Sequence, residues 1–224
     1  MHRCCFFALD QDFSAVAADF LEDGRQAGEQ ALQSSEPLTL DAFRGLTEEA
    51  LADGFSGLRV AVRTGRAPSL AAELAVDRYT AEAPLHVLCG YDTRAVGPDA
   101  PADLACVHRG AEVAAEHEPG FTVWSTLNGI GLSGEVDLSN VVRFTAALDG
   151  VAATAGGLRG PFVVDAAELE FADARAAAAL MAFSDAMGPR HPVEVVHAPR
   201  SLVAVAETLG WGDRLRLIPC GEAA

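Results

Sequence analysis

The chain has no lysine: all sixteen of its basic residues are arginine. That excludes a Walker-A lysine, a Schiff-base lysine and a lysine general base. Positive charge is scarce as well, with 32 acidic residues against 16 basic ones and a net charge of −16. An acidic surface repels phosphate backbones, which argues against nucleic acid or an anionic membrane as a partner. No apolar run approaches the length of a membrane span. The first residues lack a basic segment followed by an apolar stretch of signal-peptide length, so a cytoplasmic protein is expected rather than an exported one. Cysteine is sparse and odd in number (Cys4, Cys5, Cys89, Cys106 and Cys220), with no CxxC pair, which argues against a disulfide framework. There is no GxSxG elbow, no HExxH, no phosphate loop and no evident nucleophile–base pair. The expectation is a protein that is not an enzyme.

What is there is apolar and ordered. Apolar residues make up 50% of 224, enough to build one large domain or two small ones. The acidic excess is uneven, −11 over residues 1–118 and −5 over 119–224. It serves solubility, or it forms a face that meets a basic partner. Gly110 to Gly120 is polar, bracketed by glycines and carries a proline, and reads as a boundary. The expected division is a domain over 1–110, a linker over 111–120 and a second domain over 121–224.

In the first half, His2 to Leu9 reads as a buried strand. Phe13, Val16, Ala17, Phe20 and Leu21 then fall at helical spacing, with Gly24 as the stop. A helix from about Leu40 to Asp53, a strand over Leu58 to Arg63 with alternating character, a helix over Ser69 to Glu82 and a strand over Leu85 to Tyr91 follow. Strands separated by helices imply a parallel sheet covered on its faces. The second half opens with two strand-like runs around Asn128-Gly129, a hairpin signal. A helix then carries Leu138, Val141, Val142, Thr145, Leu148 and Ala152 on one face, with Asp137 or Ser139 to cap it. The order continues as strand 161–165, helix 173–187, strand Val193 to Val196, helix 199–209 and strand Leu215 to Ile218. This is a small α/β sandwich with helices mostly on one face of the sheet.

This second half, over about 121–220, resembles the STAS domain of anti-sigma factor antagonists. The residues that carry the resemblance are Leu132-Ser133-Gly134-Glu135-Val136-Asp137-Leu138-Ser139-Asn140, then Val163-Val164-Asp165 followed by Leu169-Glu170-Phe171-Ala172-Asp173, and the closing Leu209-Gly210-Trp211 and Leu215-Arg216-Leu217. The resemblance implies a binding module of a bacterial partner-switching system, its partner an anti-sigma factor of the histidine-kinase-like ATPase type. The implied contact residues are Asp137, Ser139, Asn140, Asp173, Ala174 and Arg175. In that family the second turn reads Asp-Ser-Ser-Gly, and phosphorylation of the second serine adds roughly −2 charge there. Here Asp173 is followed by Ala174, Arg175 and Ala176, so the hydroxyl is missing.

The first half is similar to MEDS-type sensory domains, which have a RecA-like core. His2-Arg3-Cys4-Cys5-Phe6-Phe7 matches the family's H-x-C-x-[FY] opening. Phe20-Leu21, Gly24, Gly28-Glu29, Gly54 to Val60, Tyr79 and Val87 to Asp92 extend the match. The half is shorter than the family's usual length, as though a strand, a helix and a further strand were gone. The expected fold is therefore α/β throughout: a trimmed RecA-like three-layer parallel sheet, then a STAS α/β sandwich.

His2, Cys4 and Cys89 are candidate metal ligands on neighbouring strands, with Cys106 and His108 nearby, since thiolate and imidazole suit zinc or iron. The alternative for each is ordinary packing in a buried strand, and no cofactor is expected. His86, His117, His191 and His197 have no evident partner. The leading functional expectation is a signalling regulator that binds a protein without phosphate on its turn, with a homodimer left open. The second is a small-molecule or metal/redox sensor whose STAS-like half serves oligomerisation.

Overall fold

The computed structural model describes residues 1–65, 68–98, 100–111, 118–156, 160–211 and 215–219. The middle of the expected linker, His117 and Cys220 lie outside the described residues. The chain forms two compact units, Met1–Glu118 and Pro119–Ala224.

The N-terminal unit is built from β1 (His2–Phe7), α1 (Asp10–Gln26), β2 (Gln30–Ser34), α2 (Leu40–Ala52), β3 (Leu58–Thr64), α3 (Leu70–Glu82), β4 (Leu85–Asp92), α4 (Thr93–Val96) and α5 (Ala100–Ala105). Its four strands are all parallel, in the order β1-β4-β3-β2. Successive strand side chains point to opposite faces, so β1 sends Cys5 and Phe7 one way and His2 and Cys4 the other. The first face packs on Phe13, Ala17, Phe20 and Leu21 of α1. The second packs on Phe43 and Ala50 of α2, Val76 of α3 and Leu104 of α5. Helices therefore cover both sides of the sheet.

Three sequence expectations change here. β2 is an addition to the sequence reading: Gln30–Ser34 pairs in register with β3, where the sequence reads as running almost directly into α2. Its residues are half-buried rather than buried, because it is an edge strand. β3 does not alternate, because it lies between two strands and is covered on both faces, burying five residues in a row from Leu58 to Val62. α1 does not stop at Gly24 but continues to Gln26. Gly24 is there for space, since a Cβ would come within 2.7 Å of Arg59 Cδ.

The C-terminal unit comprises β5 (Phe121–Thr126), β6 (Gly129–Val136), α6 (Val141–Thr154), β7 (Phe162–Ala172), α7 (Ala174–Met187), β8 (Val193–Ala198), α8 (Arg200–Thr208) and β9 (Arg216–Pro219). Its sheet runs β5-β6-β7-β8-β9, with only the β5–β6 pair antiparallel. The hairpin forms, with a different turn. Thr126 pairs with Gly129, so Leu127 and Asn128 are the two loop residues, and neither has positive φ. Gly129 is needed instead because any Cβ would run into the Val163 carbonyl of the neighbouring strand.

The buried face of α6 is also not the one the spacing suggested. Phe144, Ala147, Leu148 and Val151 face the core, whereas Val142 is 81% exposed and Leu138, before the helix, is 62% exposed. The Phe144 ring meets Phe121 edge-on at 5.3 Å, and this aromatic contact sets the rotation of the helix. Both tryptophans, Trp124 and Trp211, lie in this unit, so their fluorescence follows its unfolding alone. In urea titrations read that way, Phe144→Ala should cost about 3–5 kcal/mol, and Val142→Ala should stay within about 0.5 kcal/mol of wild type.

Candidate functional site

Two places in the chain bring chemistry-bearing residues together, one in each unit. In the N-terminal unit the site lies on the His2 face of the sheet. β1 supplies His2 and β4 supplies Cys89 and Tyr91, the two strands being paired with Cys4 opposite Cys89. α3 contributes Glu73 and Asp77, spaced i,i+4 on the buried side of the helix with Leu74 and Val76. His108 follows α5. His2, Glu73, Cys89 and His108 are all buried, and one ligand-type atom from each lies within 4.8 Å of the others.

The distances converge on one Glu73 oxygen. Glu73 Oε2 lies 3.2 Å from His2 Nε2 and 3.2 Å from His108 Nε2. Cys89 Sγ is 3.4 Å from His2 Nε2 and 3.9 Å from Glu73 Oε2. The other carboxylate oxygen accepts a 2.6 Å bond from the Tyr91 hydroxyl. His108 Nδ1 donates to the Leu104 carbonyl at 2.7 Å. His2 Nδ1 faces Asp77 Oδ1 at 3.6 Å, an ion-pair separation too long for a hydrogen bond. Among the described residues, His2 Nδ1 and His108 Nε2 are buried with no hydrogen-bond partner.

Charges in this interior hold one another in place. Burial and the neighbouring His108 both oppose a proton on His2, yet Cys89 and Asp77 outweigh them and push its pKa up to about 10. Burial likewise opposes a proton on His108, but Cys4, Cys89 and Glu73 raise its pKa well above the ordinary histidine value. Burial resists ionisation of Glu73, and the two histidines overcome it to hold the carboxyl well below its usual range. For Cys89, burial and Glu73 push upward while both histidines pull the thiol down, and the histidines prevail. Burial, Cys89 and Glu73 together raise the Tyr91 phenol, leaving it a hydrogen-bond donor.

Of the residues singled out in the sequence as ligands, His2 and Cys89 meet, and His108, named as nearby, joins them. Cys4 is buried beside them without being one of the four mutually close groups. Cys106 Sγ donates to the Asp103 carbonyl instead. Glu73 has no signal of its own in the sequence, since a lone glutamate in a helix reads as a solvated residue. The signal was its i,i+4 partner Asp77 on the side that had to face the sheet.

A second polar knot at the start of β3 and β4 gives His86 the partners the sequence did not show. His86 Nδ1 lies 2.9 Å from Glu29 Oε1 and 3.0 Å from Arg59 Nη2. Arg59 donates from Nε to Glu29 Oε2 at 2.6 Å and from Nη1 to the Phe20 carbonyl, with its guanidinium 4.9 Å over the Phe20 ring. His197 pairs with Asp165 at 2.8 Å, and His191 reaches the Gly160 carbonyl at 3.4 Å.

In the C-terminal unit two turns lie side by side, because Val136 and Ala172, the last residues of β6 and β7, are register partners. After β7, Asp173 caps α7. Its Oδ1 accepts from the amides of Arg175 at 2.8 Å and Ala176 at 2.9 Å. This satisfies two of the otherwise unpaired amides at the start of the helix. Ala174 and Arg175 are exposed and Ala176 is buried. After β6, Asp137 Oδ1 accepts from the amide and hydroxyl of Ser139, at 2.8 and 2.6 Å, which lowers the Asp137 pKa. Neither residue caps α6, contrary to expectation, since the helix begins only at Val141 with Asn140 in the cap position. Asn140, 8% exposed, turns inward. Its Oδ1 accepts from the Asp137 amide and its Nδ2 donates to the Glu135 carbonyl at 2.9 Å. Exposed apolar Leu138, Val142 and Phe171 lie on the segments around these turns.

Comparison with known families resolves both halves. Residues 33–109 match the family model described as the methanogen/methylotroph, DcmR sensory domain, MEDS, and residues 127–219 match the one described as Mlab, STAS domain. The chain carries a MEDS domain followed by a STAS domain. No curated protein matches it significantly. STAS domains generally work through protein–protein interaction, and the MEDS match suggests a sensory role for the first half. The STAS match suggests an anti-sigma factor antagonist-like family. Among the described residues no helix is long and apolar enough to cross a membrane. Within the STAS domain, Asp173→Ala should cost about 1 kcal/mol in the same urea titration, the usual loss for an N-cap. Arg175→Ala should stay within about 0.5 kcal/mol.

Proposed function

We propose that this chain is a cytoplasmic signalling regulator, working by binding rather than catalysis, in which the MEDS domain receives a signal and the STAS domain binds a protein partner. The partner is an anti-sigma factor of the histidine-kinase-like ATPase type. The contact surface is the pair of turns that carries Asp137, Ser139, Asp173, Ala174 and Arg175, with Asn140 holding the first turn in shape from inside.

The observation that carries this reading is the composition of that surface. Around two hydrogen-bonded turns, Leu138 and Val142 are exposed at 62% and 81%, and Phe171 at 41%. Neighbouring exposed apolar side chains rimmed by polar groups mark interaction sites. Arg175, in the second turn, is an exposed cation at a helix N-terminus, where the helix dipole disfavours it. A carboxylate or phosphate from a partner would compensate that charge. The same position offers no hydroxyl, so binding is independent of phosphate on this loop.

A second reading, a small-molecule or metal/redox sensor whose STAS domain serves oligomerisation, is favoured by the buried histidine, cysteine and glutamate cluster of the first domain. The two readings are compatible in what the first domain senses and differ in what the second one touches.

Affinity capture from the native cell with the full chain as bait should recover a kinase-type anti-sigma factor. Arg175→Glu and Val142→Asp should each weaken that complex at least tenfold without changing the far-UV circular dichroism. Mass spectrometry of the recovered protein should find no phosphate on residues 171–176. Recovery of a homo-oligomer alone, unaffected by either substitution, would favour the second reading.

A further inference from the structure

We propose that His2, Glu73, Cys89 and His108 form a binding site for one divalent transition-metal ion of the zinc class. The first argument is geometric. Metal–nitrogen and metal–oxygen distances near 2.0–2.1 Å and metal–sulfur near 2.3 Å put the edges of a coordination tetrahedron at roughly 3.3–3.6 Å. Around Glu73 Oε2 the observed separations are 3.2 Å to each histidine Nε2 and 3.9 Å to Cys89 Sγ, with 3.4 Å between Cys89 Sγ and His2 Nε2. Three of these separations match such edges within about 0.2 Å, the Cys89–Glu73 one is a few tenths of an ångström longer, and all four donors, drawn from four different parts of the chain, lie within 4.8 Å of one another.

The second argument concerns the orphaned nitrogen. His108 Nε2 is fully buried among polar atoms, and although Glu73 Oε2 lies 3.2 Å away, no described residue meets hydrogen-bond geometry with it. An ordinary buried hydrogen-bond network does not leave such an atom unsatisfied. Because Nδ1 donates to the Leu104 carbonyl, the lone pair of the neutral ring is on Nε2 and is aimed into the cluster. A metal-binding histidine is typically oriented in this way, by a carbonyl or carboxylate on its other nitrogen. Asp77 Oδ1 lies on the Nδ1 side of His2 at 3.6 Å, longer than a hydrogen bond. The Tyr91 hydroxyl fixes the carboxylate oxygen of Glu73 that faces away from the histidines.

The third argument is charge. A thiolate, a carboxylate and two neutral imidazoles around a divalent cation sum to zero, the one total that a site with no solvent contact can hold at low cost. Thiolate and imidazole select zinc and its neighbours over calcium or magnesium, which take oxygen ligands. Four protein donors leave no open position, so the site is closed and structural or sensory rather than catalytic. Cys4 stays outside the set. This inference names what the MEDS domain holds and does not depend on the STAS partner, so metal content and partner capture can fail separately.

The test uses the full chain. Metal content is measured by elemental analysis on protein purified without chelator. The protein is then unfolded in chelator and refolded with Zn²⁺ or Co²⁺ alone, because a closed site loads as the fold forms. About one equivalent per chain is expected. The cobalt form should show visible d–d bands and a thiolate-to-cobalt charge-transfer band in the near ultraviolet. Cys89→Ser should abolish the charge-transfer band, and His108→Gln and Glu73→Gln should weaken binding at least about 100-fold. Tyr91→Phe, which touches only the outer shell, should keep the spectrum and weaken binding by about 10-fold. Cys5→Ser, on the opposite face of β1, should change neither. The melting temperature of the wild type should rise with Zn²⁺. Wild-type protein with native circular dichroism, metal at blank level and no zinc-dependent shift would overturn the proposal. So would a charge-transfer band that survives Cys89→Ser. Should the ligand variants fail to fold, the wild-type, Tyr91→Phe and Cys5→Ser measurements still decide.

Discussion

A carboxylate placed where water does not reach it is the constraint around which the N-terminal unit is arranged. Glu73 is 6% exposed, and an uncompensated charge there would cost several kcal/mol. Its compensation comes from elements that share nothing in sequence: the first strand, the last strand and the segment after α5. β1 must sit beside β4, in the register that sets Cys4 against Cys89, for His2 to reach the carboxylate. α3 must present Glu73 and Asp77 inward, at the expense of an apolar stripe. His108 must stay close to Leu104, whose carbonyl orients its ring. Packing of Phe, Val and Leu holds the sheet between its helices, and the ionic centre adds a constraint on β1, α3, β4 and the segment after α5, which supply its four groups.

The C-terminal unit is organised differently. Its interior is aromatic and aliphatic, with Phe121 against Phe144 and Phe162 against Phe183. Its polar geometry is at the surface, in two turns shaped mainly by local side-chain hydrogen bonds and joined by the Asp173 amide, which donates to the Val136 carbonyl at 3.1 Å. Asp173 with its two amides and Asp137 with Ser139 are built from neighbours in sequence. The surface around them is preformed, and apolar groups stand exposed on it. One unit hides its chemistry and the other displays it, which matches a division between sensing and contact.

That difference also explains what could be read from the sequence. The STAS turns were legible because a cap, a hairpin and a strand end are written in consecutive residues, and Asp173 is where the pattern puts it. The rotation of α6 was not, because apolar residues occur all round that helix and only the Phe121–Phe144 contact selects the buried side. Gly24 and Gly129 read as a stop and a turn, yet both are required by a neighbour distant in sequence. β2 was missed because an edge strand needs little apolar character. In the buried cluster, His2 and Cys89 stood out through residue type and strand position. Glu73 did not, since a charged residue announces its burial only through the partners the fold brings to it.

The four groups of that cluster come from positions 2, 73, 89 and 108. No local segment can assemble any two of them in advance. Loop closure over nearly the whole unit must precede their meeting, and contacts of that range form slowly and dissolve together when the unit opens. The cluster therefore records whether the first hundred residues are folded as one piece. Whatever alters it is felt from the first strand to the last helix of that unit at once, as a change in cooperativity rather than a local adjustment.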